Sequence, residues 1–373
     1  MLIKVNTEIL KELLNRYFIN ENKRIATSTE MPIGKFSIIV SFYFDVFCFE
    51  FLRRLVLEIL NFVLQNTRDL DLLIQSNSYL IEMKIDHATE KDYPTITAEL
   101  DKLIKEFGVS PYTLSLLKLQ ADFNAFHLNN PEKAKAILKS AMEMPINRYQ
   151  LAEVKMELAD ILLFEEKFNQ ALIYYSQIDE DMSGDIIGQE ASLKTAKTSY
   201  FKTDFEWASH QLKVLKSASS QLIANDALDL FLLISDNTVE DSLQVALKKF
   251  ARADFLLYQN KKKESLAAFQ QILKEHKGED IEPVTLLRIG KIYEKMGDFA
   301  NALANYDAII TKHKDCIYID EALYFSAEIY NIQLKDPEKA KLLYEEMLTK
   351  HEDSIYYVDS RNKYRKLRGD TNL

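Results

Sequence analysis

The sequence predicts an all-α protein built as a solenoid of stacked helix pairs. Three observations lead to this prediction: a residue pattern that returns about every 37 positions, helical spacing of the large residues within each unit, and a scarcity of turn-forming residues. The chain has 373 residues but only 8 Gly and 7 Pro, which argues against collagen-like or disordered chains and against a turn-rich all-β fold. Because 47% of its residues are hydrophobic, it can bury a substantial core.

One unit shows the repeated pattern clearly. Gly290 is followed by large Tyr293, small Ala302, large Tyr306 and aliphatic Ile309, at offsets of 3, 12, 16 and 19. The same offsets recur at Ala159, Leu162, Ala171, Tyr175 and Ile178, and at Ala253, Leu256, Ser265, Phe269 and Ile272. A less complete copy comprises Ala196, Ala208, Leu212 and Leu215. Two copies carry one extra residue in the middle: Ala121, Ala134, Leu138 and Ala141, and Ala327, Tyr330, Ala340, Tyr344 and Met347.

These offsets predict two amphipathic helices in each unit. A small residue in each helix allows the two backbones to approach closely, and the large residues fill the space between this pair and the next. Asn130-Pro131, Gly297-Asp298 and Asp336-Pro337 stand where the first helix must end. A single pair cannot bury its own apolar face, so the pairs are expected to stack.

One interval between units is longer than the others. The leading small residues are 37 or 38 positions apart, except that 57 positions separate Ala196 from Ala253. The excess equals about one helix, which we assign to residues 221–236. Because an unpaired helix breaks the two-helix parity, we expect it to bend or widen the solenoid and to divide it into front and back halves.

The repeat pattern resembles that of tetratricopeptide repeats from about Tyr93 to the C-terminus. This resemblance implies a right-handed α-solenoid whose first helices line a concave groove that binds protein segments. A narrower likeness is to tetratricopeptide scaffold proteins of the bacterial cell envelope. It is carried by the junctions at 315–322 and 351–357, both of which lack the proline usual there.

The sequence predicts two regions, residues 1–88 and residues 89–373. In the first, Thr7 caps an amphipathic helix, and a Phe-rich stretch follows at residues 36–64, interrupted by charges such as Asp45 and Arg54. This region is interpreted as a cap on the first repeat, as a membrane contact, or as the result of a misassigned start site. Because no secretory pattern is present, the expected location is cytoplasmic, with the periplasm or cell envelope as the alternative from the resemblance.

The sequence offers little support for catalysis. The two cysteines, Cys48 and Cys316, form no zinc-binding pattern, there is no Gly-rich phosphate loop, and the carboxylate pairs fall in turns or on helix surfaces. A net charge of -10 argues against broad nucleic-acid binding. We therefore predict no enzyme activity, no cofactor and no metal.

Two other features, the recurring histidines and two basic clusters, are candidate sites, but the sequence favours a structural role for both. His276, His313 and His351 recur at the repeat period and should end successive second helices, too far apart to share a metal. Lys261–Lys263 should lie in a turn, and the basic segment 361–368 should form a polar closing helix. An acidic or phosphate-bearing partner for these clusters stays an alternative.

The function predicted is a non-catalytic scaffold that binds a peptide or helix in the concave groove. The alternative is a membrane-tethered structural component of the bacterial cell envelope. The groove positions hold no Lys/Asn clamp for a peptide C-terminus, so an internal segment or a helix is the expected ligand. The residues predicted to contact it are Met156, Asp160, Leu193, Lys197, Tyr200, Phe250, Asp254, Tyr258, Leu287, Lys291, Tyr324 and Glu328.

Overall fold

The computed structural model describes residues 54, 56–218, 221–238 and 244–370. The chain divides into two compact units, residues 1–100 and residues 101–373. The helix predicted after Thr7 and most of the Phe-rich stretch 36–64 lie outside the described residues. Within the described ranges every regular element is a helix.

The first unit contains a helical segment at 56–66, the helix Leu70–Ile85 and the start of the helix Tyr93–Phe107. The Asp69 carboxylate caps Leu70–Ile85 by accepting hydrogen bonds from the backbone amides of residues 71 and 72. This helix buries a stripe that includes Ile74, Ile81 and Ile85. None of the helices in the described ranges is both long and apolar enough to cross a membrane.

The second unit contains six helical hairpins, numbered 1 to 6 here. The two helices of each hairpin are antiparallel neighbours joined by a short turn. Their bounds are Leu114–Asp122 and Pro131–Met142, Arg148–Phe164 and Phe168–Asp181, Ile186–Phe201 and Phe205–Ala218, Val245–Tyr258 and Lys262–Glu275, Ile281–Lys295 and Phe299–Lys312, and Ile319–Glu328 and Pro337–Lys350. Gln221–Asp236, called the linking helix, follows hairpin 3, and Tyr357–Arg368, called the closing helix, follows hairpin 6.

The repeated small and large residues form the hairpin interiors, as predicted. In hairpin 2, Ala159 on the first helix and Ala171, Tyr175 and Ile178 on the second are all fully buried. The stripe on the second helix is spaced by four and three residues, which is one face of a helix. Its small member permits close approach of the two helices, and its large members fill the adjoining space.

In hairpins 2 to 5, a residue in the left-handed region lies in the turn after the first helix. The φ values are 63° at Glu166, 67° at Thr203, 59° at Asn260 and 76° at Gly297. Glycine, which adopts this region without strain, is used in only one of these four turns. The register of the repeat therefore fixes the position of the left-handed residue. A glycine marks this position in the sequence only at Gly297 among these turns.

The extra residue of hairpins 1 and 6 is accommodated as a π-helical turn. The Leu128 amide donates to the Phe123 carbonyl at 3.0 Å, and the Leu334 amide donates to the Ile329 carbonyl at 2.9 Å, each five residues back. A π turn widens the helix by one residue, so the small residues on either side keep their mutual register. The hairpin geometry is thus the same with or without the insertion.

The linking helix occupies the place of a first helix that has no second helix. It packs on Phe205–Ala218 and also contacts Ile186–Phe201. After the linking helix, the first helix of hairpin 4, Val245–Tyr258, lies beside Ile186–Phe201 of hairpin 3. The C-terminal parts of these two helices are close together, since Tyr200 and Asp254 form a hydrogen bond of 3.1 Å.

Hairpin 4 also contacts hairpin 2, although hairpin 3 and the linking helix separate the two in the sequence. Arg252 forms two hydrogen bonds of 2.9 and 3.0 Å with the Glu166 carboxylate. The Gln259 amide donates to the Phe164 carbonyl at 2.8 Å, and the Phe255 ring packs edge-on against Phe168. These contacts join hairpins that are not consecutive in the chain; the bend expected from the extra helix stays a prediction. The core is nevertheless continuous, since one cluster of buried residues extends from Leu193 through the linking helix to residues of hairpin 5.

Candidate functional site

The first helices of the hairpins form one surface, called the first-helix wall. The first helices of hairpins 1 and 2, 2 and 3, and 4 and 5 contact each other directly. The wall helices of hairpins 2, 3, 5 and 6 also pack on the second helix that precedes them. Side chains on the free side of the wall therefore meet their counterparts from the next hairpin.

A charged residue follows the small residue of each first helix. We call these six positions the polar ladder. Three of them find an oppositely charged partner on the next helix of the stack: Asp160 pairs with Lys194 at 2.6 Å, Asp254 with Arg288 at 3.0 Å, and Glu328 with Lys363 at 2.8 Å. The members are Asp122, Asp160, Lys197, Asp254, Lys291 and Glu328.

The two lysines of the ladder are held more loosely. Lys197 lies 3.6 Å from Asp226 of the linking helix, with 41% of its side chain exposed. Lys291 lies 3.3 Å from Glu321, and its ammonium stands 4.9 Å from the centre of the Phe325 ring. Both ammonium groups are thus available to solvent on the wall.

Buried tyrosines of the second helices hold three wall carboxylates in place. The Tyr175 hydroxyl donates to Asp160 at 2.5 Å, the Tyr306 hydroxyl donates to Glu294 at 3.0 Å, and the Tyr344 hydroxyl donates to Glu328. Burial, reinforced by the facing carboxylate, raises the pKa of each tyrosine well above its ordinary value. The hydroxyls therefore remain neutral donors, and hairpins 2, 5 and 6 each orient a carboxylate on the wall.

The apolar members of the predicted contact set belong to the core. They are 8% exposed or less, so they do not form an open surface: Met156, Leu193, Tyr200, Phe250 and Leu287. Four of them stand three residues before the small residue of their helix, and Tyr200 stands four after it. Those offsets place them on the same helical face as the small residue, which is the buried face.

The remaining predicted residues lie on the wall and stay a predicted contact set. Asp160, Lys197, Asp254, Lys291 and Glu328 are the ladder positions already described. Tyr258 is 39% exposed, and Tyr324 is partly exposed beside the closing helix.

Tyr324 marks the last step of the wall. Its ring stacks on Tyr356 with centroids 4.4 Å apart, and its hydroxyl donates to Asp359 at 2.5 Å. Lys363 donates to the same hydroxyl at 2.8 Å. Tyr324 is thus covered by Tyr356 and by residues of the closing helix.

Several wall residues were not identified from the sequence. Lys194 and Arg288 stand two positions before the small residue of their helices, where they meet the ladder carboxylate of the previous first helix. Glu157 occupies the equivalent position in hairpin 2. The sequence signal for them is a charged residue two positions before the small residue. Its role can be recognised only when it is compared with the ladder residue of the preceding first helix.

The recurring histidines end second helices, as the sequence indicated. His276, His313 and His351 are the C-cap residues of the second helices of hairpins 4, 5 and 6. His351 contacts Asp320, at the start of the first helix of the same hairpin, at 2.7 Å. In the described part of the chain, no group of three or more His, Cys, Asp or Glu is arranged to hold a metal ion.

The basic clusters lie at the ends of helices. Lys261 and Lys262 stand at the start of the second helix of hairpin 4, at the predicted turn. On the closing helix, Arg361, Arg365 and Lys366 are exposed, and Arg368 pairs with Asp370 at 2.5 Å. This distribution provides the polar outer face that a solenoid end requires.

The hairpins and their wall define the class of the protein: an α-solenoid of helical repeats. Residues 285–315, which extend from the first into the second helix of hairpin 5, match the family model of the tetratricopeptide repeat. This segment of hairpin 5 is thus similar to a tetratricopeptide repeat, which is generally an interaction fold. No curated protein matches the chain.

Solved structures of tetratricopeptide repeat proteins are similar to the chain at low identity. A tetratricopeptide repeat protein from Parabacteroides merdae is 15% identical, with 79% of this chain and 99% of that chain covered and a TM-score of 0.32. A Rap protein complexed with Competence and Sporulation Factor is 14% identical, with 90% and 94% covered and a TM-score of 0.37. The P58(IPK) TPR domain is 15% identical, with 89% of each chain covered and a TM-score of 0.28.

Proposed function

We propose that the chain is a non-catalytic scaffold that binds an internal segment of a partner protein along the first-helix wall. The observation that carries the proposal is the polar ladder, which presents charges of both signs on one surface at the spacing of the hairpins. A segment with charges of both signs could pair with several steps at once.

The half-exposed ion pairs of the ladder support this proposal energetically. Lys291 and Glu321 are 30% and 26% exposed, and Lys197 and Asp226 are 41% and 51% exposed. Exposed pairs contribute only about 0–1 kcal/mol each. A partner side chain can therefore replace an internal partner at little cost, which makes the exchange of pairs a workable binding mode.

Two partly exposed tyrosines supply apolar area on the same wall. Tyr258 lies at the end of the first helix of hairpin 4 and Tyr324 on that of hairpin 6. Tyrosine is enriched among residues that dominate protein interfaces, because its ring buries a large area and its hydroxyl stays paired. The expected ligand therefore contacts both charged and aromatic groups.

The test begins by isolating a partner with the full chain and measuring its affinity. The double variant Lys197→Glu, Lys291→Glu is expected to weaken binding at least about tenfold, which corresponds to about 1.4 kcal/mol. The matched control, Lys213→Glu with Lys312→Glu, makes the same change of charge on exposed second-helix positions. Equal affinity of both variants would place the binding site elsewhere.

A second double variant tests the contribution of the two tyrosines to binding. Tyr258→Ala with Tyr324→Ala should weaken binding while the helical circular dichroism is retained. Undiminished binding would place the partner on the second-helix surface or on residues 1–88.

The cellular compartment is part of this proposal. We propose a cytoplasmic scaffold, with a membrane-tethered component of the bacterial cell envelope as the alternative through residues 36–64. Fractionation of cells separates the two, since a tethered chain would pellet with membranes and lose that property when residues 1–85 are removed.

A further inference from the structure

The junction between hairpins 1 and 2 breaks the charge rule of the ladder. Elsewhere a ladder carboxylate meets a cation two positions before the next small residue, as Asp160 meets Lys194 and Asp254 meets Arg288. At the first junction the equivalent residues are Asp122 and Glu157, and both are acidic. Their helices contact each other, and one turn earlier Lys118 and Glu153 are joined across the same two helices at 2.9 Å, so Asp122 and Glu157 face each other.

Both carboxyl groups are half-buried. Burial raises the pKa of Asp122, and burial together with the negative charges of Asp122 and Asp160 raises the pKa of Glu157 to about 7. Two facing carboxylates cannot both ionise cheaply in such a setting, so they retain one proton between them and titrate as a pair.

The groups around the pair do not neutralise it. Lys118, on the helix of Asp122, donates to Glu153 at 2.9 Å, and Lys194, from hairpin 3, is engaged by Asp160. Both lysines, like His127 near Asp122, lower the carboxyl pKa values, but burial outweighs them. Tyr258, from hairpin 4, has its pKa raised by burial and by Asp160 and Glu157, so it stays neutral.

We propose that the proton shared by Asp122 and Glu157 fastens hairpin 1 to hairpin 2, and that its loss loosens this junction as the pH rises to neutral and above. The junctions made by Asp160–Lys194 and Asp254–Arg288 join opposite charges and keep their attraction across the same range. The junction between hairpins 1 and 2 therefore differs from these two junctions in its sensitivity to pH, and this inference does not depend on any partner.

The direction of the pH dependence follows from proton binding. Glu157 has a folded-state pKa above its ordinary value of 4.5, so between these values the folded chain binds more protons than the unfolded chain. Its contribution to stability is fully present below pH 4.5 and is lost as the pH rises through about 7. Above that range the junction carries two facing negative charges.

Hydrogen exchange of the full chain tests the proposal. After correction for the intrinsic exchange rate at each pH, the opening constant of residues 114–164 should rise at least about tenfold from pH 5.5 to pH 8, the change that one unit of pKa represents. Residues 281–312, which contain no such pair, serve as the internal reference. An equal rise in both segments would overturn the proposal.

Variants of Glu157, with a control at Glu153, assign the effect to the pair. Glu157→Gln should remove most of the pH dependence, and Glu157→Lys, which restores the charge rule of the ladder, should protect the junction at pH 8. Glu153→Gln is the control, because Glu153 bridges the same two helices through Lys118 but does not face Asp122. If Glu157→Gln does not fold, Asp122→Asn tests the same contact. An unchanged pH dependence in a folded variant of either residue would overturn the proposal.

Discussion

The ring of Tyr306 lies directly against the backbone of Gly290. A β-carbon on residue 290 would come within 2.3 Å of Cε1 of that ring and 2.8 Å of its Cδ1 and Cζ atoms. Tyr306 is fully buried, and its hydroxyl is held by Glu294, so the ring has no free space into which to move. The first and second helices of hairpin 5 therefore cross at a point where only glycine fits.

Gly290→Ala is expected to destabilise the protein, although alanine favours helices over glycine by about 1 kcal/mol. Overpacking against a fixed ring costs about 1–3 kcal/mol in a dense core and should exceed that gain. Chemical denaturation monitored by circular dichroism gives the difference. The double variant Gly290→Ala, Tyr306→Leu should not show the additional loss, because the ring has been removed; additivity of the two changes would contradict the crossing described above.

Ala302→Leu tests the facing side of the same crossing. Ala302 is fully buried in the cluster that contains Tyr306 and Ile309, and the three carbon atoms that leucine adds have no room there. We expect a loss of about 1–3 kcal/mol in the free energy of unfolding. Ala304→Leu is the control, since residue 304 is less buried on the same helix. Equal stability of the two variants would mean that the helix register is wrong.

Thr203→Gly is expected to stabilise the protein. Thr203 adopts a φ of 67° in the turn of hairpin 3, a region that is strained for a β-branched residue. Relief of about 1–2 kcal/mol is expected, reduced by the greater freedom of glycine in the unfolded chain. Gly297→Thr makes the reverse change at the equivalent turn of hairpin 5, where φ is 76°, and should destabilise it. Thermal unfolding should show a higher Tm for Thr203→Gly and a lower Tm for Gly297→Thr. Shifts of both Tm values in the same direction would contradict this expectation.

Arg288→Met is expected to cost about 1 kcal/mol through the loss of the ion pair with Asp254. The Arg288 side chain is 35% exposed, so solvent weakens the pair, whereas Asp254 is only 12% exposed and keeps its bond from Tyr200. Adding Asp254→Asn should recover part of the loss, since the unpaired carboxylate is then removed. A double-mutant cycle measures the coupling, and a coupling of zero would show that the pair contributes nothing to the wall.

The sequence by itself determined the local architecture of this protein. The offsets among Gly290, Ala302, Tyr306 and Ile309 specify two helices, the faces they bury and the point at which they cross, because helical periodicity is a property of the chain alone. It also located the linking helix and the C-terminal histidines of the second helices. What it left open at the wall was the role of positions such as Phe250, which share the face of the small residue and are buried by the neighbouring hairpin.

The tertiary structure decided everything that depends on contacts between hairpins. Whether Asp160 meets a cation or Asp122 meets another acid depends on which residues two successive first helices bring together, and that follows from how the hairpins stack. The return of Val245–Tyr258 to hairpin 2, fixed by Arg252 and Gln259, joins residues 86 and 95 positions apart. No repeat period contains such a pairing, because it arises from packing around an unpaired helix rather than from the pattern of any one repeat.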